Sequence, residues 1–83
     1  MENIQAIIED ILFQSDDGMY SVLRLSNKAN GIFTAVYKGT PPYLGENVSM
    51  DGEWVDHPRF GRQFNIVLLK VVEPTSAAGI ERS

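Results

Sequence analysis

Apolar and polar positions alternate most cleanly over residues 47–54, where Val48, Met50, Gly52 and Trp54 fall on one side and Ser49, Asp51 and Glu53 on the other. A two-residue period marks a half-buried antiparallel strand. Residues 20–26 and 32–38 are rich in β-branched and aromatic side chains, which suit a pleated surface. Between them Asn27-Lys28-Ala29-Asn30-Gly31 supplies a loop. Residues 64–72 are apolar at nearly every position, which predicts a central strand. Over residues 39–45, Pro41 and Pro42 remove two backbone donors and fix two φ angles, so that stretch is expected to be a loop.

The first segment supports two readings. Ile4, Ile7, Ile8, Ile11 and Leu12 recur at helical spacing, with Gln5, Glu9 and Asp10 opposite, as in an amphipathic helix over residues 2–13. Four β-branched isoleucines, and an Asp16-Asp17-Gly18 turn leading straight into the next strand, fit a long curled strand instead. A bulge near Glu9-Asp10 would shift its apolar side in mid-run. At the other end, Thr75 or Ser76 caps the start of a short helix over residues 77–82, marginal by itself.

Five strands with short connections predict an all-β domain over residues 1–73: a small five-stranded antiparallel barrel, OB-like. Residues 74–83 then read as a linker into a following domain absent from the chain. An OB barrel usually places a helix between its third and fourth strands, and residues 39–45 are too few and too proline-rich for one. An SH3-like barrel is therefore the alternative.

Size and charge narrow the function. Eighty-three residues make one domain. Seven Lys and Arg against eleven Asp and Glu leave a net charge of −4, so the domain taken whole repels DNA and only a local basic face reverses that. The chain has no cysteine, which excludes disulfides and thiolate metal sites, and its single histidine does not make a zinc site. No G-x-x-x-x-G-K-[ST] string is present to cradle ATP. No catalytic residue and no cofactor are expected. The longest apolar run, residues 66–69, does not span a bilayer, and the N-terminus lacks the pattern of a signal peptide. The expected location is the cytoplasm, with no membrane partner.

The most specific string is Gly52-Glu53-Trp54-Val55-Asp56-His57-Pro58-Arg59-Phe60-Gly61-Arg62-Gln63-Phe64, read as a strand ending in Trp54, a punctuated connection, and a strand beginning at Phe64. It resembles the N-terminal domain of RecD/TraA-type ATP-dependent DNA helicases, where a G-x-W-x-x-H-P-x-[YF]-G-x-Q-F string sits in a small β-barrel ahead of the motor. Residues 13–25, Gly45-Glu46, Pro74-Thr75 and Gly79-Ile80-Glu81 extend the likeness. The resemblance favours the strand reading of residues 2–13. It implies a parent helicase, often described as exodeoxyribonuclease V alpha subunit, that unwinds DNA 5′ to 3′ in repair and recombination. ATP and Mg would belong to its motor. This domain would be a non-catalytic accessory that packs on other domains of the same helicase and weakly guides single-stranded DNA. The rival readings are a stand-alone single-strand binder, which the acidic balance opposes, and a protein-docking barrel.

Trp54 ends an inward face and reads as a core anchor rather than a base platform. Gly52 reads as a point of close packing or bending. His57-Pro58 is expected to form a rigid turn with the imidazole bonded to nearby backbone, and Gly61 to take a positive φ. Arg59, Phe60 and Arg62 place two guanidinium groups beside an aromatic, the ingredients of single-strand binding. The plainer reading, a solvated hairpin tip whose aromatic packs on the barrel, is the favoured one. Lys38, with Arg24 and Tyr37, extends a basic face if the strand faces align. Tyr43 is a candidate docking contact. Glu9, Asp10, Asp16 and Asp17 form a solvated acidic patch without calcium-loop spacing.

Overall fold

The computed structural model describes residues 1–72. Five strands, β1 (Glu2–Gln14), β2 (Ser21–Asn27), β3 (Gly31–Tyr37), β4 (Asn47–His57) and β5 (Gly61–Val71), close a barrel in the order β1-β2-β3-β5-β4. β1 pairs antiparallel with β2 and β4, β2 with β3, and β4 with β5. β3 and β5 run parallel, Thr34–Tyr37 beside Gln63–Ile66, because β4 returns the chain between them. The fold is an all-β, OB-like barrel. Residues 38–46 connect β3 to β4 without a helix, and the barrel closes none the less. The linker expected over 74–83 and the helix expected within it lie outside the described residues.

β1 is a strand whose two bulges mimic a helical stripe. Ile8 faces Leu25 and Asp10 faces Arg24, which leaves Glu9 extra; Ile11 faces Leu23 and Phe13 faces Val22, which leaves Leu12 extra. Ile4, Ala6 and Ile8 enter the core before the first bulge, and Ile11 packs against it afterwards. Ile7 and Leu12, members of the apparent stripe, are exposed. Bulges bend a strand and increase its twist. Here they let the first half of β1 pair with β4 and the second half with β2.

β5 is paired on both edges, as a central strand, and a third bulge turns part of its apolar run to solvent. Asp51 faces Leu68 but Gly52 faces Ile66, so Val67 is extra, and both Val67 and Leu68 are exposed. Gly52 marks the crossing point. A Cβ there would collide with the Asn65 carbonyl oxygen and lie 3.0 Å from its carbon. The residue must therefore be glycine for the two backbones to approach. β4 and β5 also run beyond the expected limits, to His57 and from Gly61, so only residues 58–60 turn the chain.

The core gathers Ile8, Leu23, Leu25, Val48, Met50 and Phe64, all essentially inaccessible to solvent. Trp54 is half-buried and packs edge-on between Phe33, at 5.3 Å between ring centroids, and Phe64, at 5.1 Å. The Arg62 guanidinium lies 4.3 Å from the centre of the indole. It covers the side of the tryptophan that the core leaves open.

Candidate nucleic-acid interface

Two short connections shape the outer face around β2 and β3. In residues 15–20 the Ser15 hydroxyl donates to Asp17 Oδ1 at 2.7 Å, and the Met19 N–H donates to the same oxygen at 3.0 Å. The Tyr20 N–H donates to Ser15 Oγ at 3.1 Å, and the Ser15 N–H to the Tyr20 carbonyl at 2.9 Å. These bonds hold the Asp17 carboxyl below its ordinary pKa, the Met19 amide foremost and the Ser15 hydroxyl second. They also bring Tyr20 beside Phe13, the two rings edge to face with centroids 6.0 Å apart.

The other connection is organised by His57. Its Nδ1 accepts the backbone N–H of Arg59 at 3.1 Å and of Phe60 at 3.2 Å, so that nitrogen presents its lone pair to the turn. Pro58 restricts the first turn residue, and Gly61 leaves the turn with φ 81°. The Phe60 ring lies 4.8 Å from the imidazole, tilted by 34°. The Arg59 guanidinium is 5.8 Å from the centre of the same ring.

Between these two connections lies a groove of about 460 Å³. Phe13 and Tyr20 line one part of it and His57 and Phe60 another, while Val22, Thr34 and Gln63 enter from β2, β3 and β5. Phe60 is 68% exposed and Phe13 53%, so neither aromatic serves the core. Among the described residues none that lines the groove is Lys, Arg, Asp or Glu, and the strands around it carry charges of both signs. Arg24 faces Asp10 across β1 and β2, and Arg62 faces Asp56 across β4 and β5. Among the described residues no group of three or more His, Asp or Glu side chains is placed to hold a metal ion.

The structure separates the residues singled out in the sequence. Phe60 and His57 line the groove, and Arg59 stands beside Phe60. Arg62 lies over Trp54 in an adjoining depression with Asn30, Ile32 and Phe33; Thr34 lines both that depression and the groove. Lys38 lies apart, with Tyr37, Asn65, Ile66 and Val67. Gly52, Trp54, Pro58, Gly61 and Phe64 shape the β4–β5 hairpin and the core beneath it. Tyr43 is exposed in the β3–β4 connection.

Sequence reasoning missed the other half of the groove: Phe13, Tyr20, Val22, Thr34 and Gln63. One signal was available, since Phe13 and Tyr20 bracket the Asp16-Asp17-Gly18 turn and a hairpin brings such flanking residues together. The contributions of β3 and β5 had no local signal, because they depend on barrel closure.

The family model described as ATP-dependent DNA helicase YrrC, OB-fold domain, matches residues 1–74. No curated protein and no solved structure matches the chain.

Proposed function

The chain belongs to the OB-fold domain family of the YrrC ATP-dependent DNA helicase, and from that premise we propose that it is a non-catalytic accessory domain of a RecD/TraA-type 5′-to-3′ helicase acting in DNA repair and recombination. It packs against other domains of that helicase and weakly guides single-stranded DNA across the groove between residues 15–20 and 58–60. ATP and Mg belong to the motor.

One observation carries the proposal: exposed Phe13, Tyr20 and Phe60 converge on a single groove over β2 and β3, with Arg59 at its margin. Successive bases stack on exposed aromatic rings with little regard to sequence, and a nearby guanidinium pairs with phosphate. The domain moves no electrons and breaks no bond; it holds a strand in place. Exposed Val67 and Leu68 on β5, and Tyr43 and Leu44 in the β3–β4 connection, offer apolar surface for packing on neighbouring domains.

The test is a titration with a thymidine oligomer at low salt, followed by backbone amide resonances. Shifts are expected at residues 12–22 and 57–63. Phe60→Ala, which removes an exposed ring, should weaken binding by about 5- to 100-fold, the range of one lost base stack, without changing the melting temperature. Shifts confined to residues 65–71 of β5 and to residues 38–46 would refute guidance along this groove.

A further inference from the structure

Gln63 is a polar, buried residue in a groove otherwise dominated by aromatic rings. It sits on β5 between Val55 of β4 and Thr34 of β3 and is only 9% exposed. Its carboxamide makes no hydrogen bond to any described residue. Buried amides in folded proteins are ordinarily bonded, and an unpartnered one calls for an explanation. An apolar residue of similar size would suit a strand whose only task was to pack. The amide instead lines the same groove as Phe13, Tyr20, His57 and Phe60.

We infer that this groove is a slot for one unstacked nucleobase of a single DNA strand, and that Gln63 reads the in-plane edge of that base. This rests on the reading of the domain as a strand guide and adds to it a specific acceptor and donor. A carboxamide carries one acceptor oxygen and two donor hydrogens in a plane. The Watson–Crick edge of every unpaired base offers a donor beside an acceptor, so an amide that turns over bonds any of them. The rings of Phe60 and Tyr20 supply stacking surface at the slot, and Thr34 offers a hydroxyl beside Gln63. Recognition of this kind demands a base without choosing one, which suits a domain that meets arbitrary sequence.

The test uses three tetranucleotides with the same phosphates: thymidine, its apolar isostere carrying difluorotoluene, and an abasic analogue. Affinities come from amide titrations of the whole chain at low salt. The wild type should bind thymidine about 5- to 150-fold more tightly than the difluorotoluene isostere, the range of a buried donor or acceptor left unpaired, and the abasic analogue most weakly. Gln63→Leu should bind the first two alike and still reject the abasic analogue. If Gln63→Leu does not fold, as judged by its melting curve, Gln63→Met provides the same comparison with an unbranched side chain.

A wild type that binds thymidine and isostere alike, or a Gln63→Leu that keeps the preference, overturns the inference. In the second case the amide serves an ordered water instead. Equal binding of all three tetranucleotides also overturns it, yet leaves a strand guide that holds phosphate alone. Binding of none removes both readings.

Discussion

Ser15 and Asp17 show how much of a site two small polar side chains can set. They bond to one another and to the amides of Met19 and Tyr20, so the turn carries its own scaffold into solvent and delivers Tyr20 to Phe13. The Met19 amide, then the Ser15 hydroxyl, favour the charged carboxylate and hold its pKa below the ordinary 3.8. A folded pKa below the unfolded one means that the carboxylate's contribution is complete above 3.8 and is lost as pH falls through the lowered folded value. The Asp17 carboxyl and the Met19 amide should therefore titrate together with a midpoint below 3.8. Asp17→Asn should abolish that titration. A midpoint at or above the ordinary value would mean that the carboxylate does not hold this turn. His57 plays the matching part at the other connection through Nδ1. Its role is legible from His57-Pro58 and Gly61, because the bonds span only three residues.

At the scale of elements, bulges are the means by which short strands close a barrel. Glu9 and Leu12 bend β1 between two partners, and Val67 re-aims β5 opposite Gly52. Gly52 is the point of least tolerance, since any side chain there meets the Asn65 backbone rather than a mobile group. Gly52→Ala is expected to cost about 3 kcal/mol, as overpacking against backbone does. A chain of this length has a total stability of roughly 4–12 kcal/mol, so the loss should show as a large fall in the denaturant midpoint with little change in slope. A midpoint within experimental error of wild type would show that the β4–β5 crossing is wider than described. The same bulges explain why periodicity misled. An extra residue at Glu9 turns the even-numbered inward set of Ile4, Ala6 and Ile8 into the odd-numbered Ile11, and the resulting interval of three imitates a helix.

For the whole molecule, charge decides how a single strand can be held. A net charge of −4 opposes DNA at long range, and cross-strand Asp10 and Asp56 offset Arg24 and Arg62. Arg62 is further committed to Trp54, and Lys38 lies in a different depression from the groove. Arg59 is the cation at the groove's margin, so one or two phosphates are neutralised and log affinity against log salt should fall with a slope of about −0.7 to −1.4, at about −0.7 per phosphate. Titrations between about 50 and 200 mM salt measure it. A slope near −5, by the same relation, would require a continuous basic track that these residues do not form.

What the sequence determined by itself is what neighbouring residues impose on one another. The alternation of β4, the turns around Asp17 and His57 and the lack of a G-x-x-x-x-G-K-[ST] string are all matters of composition and short spacing. Tertiary structure alone decided the parallel seam of β3 and β5, the side on which each bulged strand shows its apolar residues, and the meeting of Phe13 and Tyr20 with Phe60 and Gln63. Those outcomes join residues on different strands, well separated along the chain. Pairing between such distant strands is set by closure of the barrel, and a window along the chain contains no trace of it.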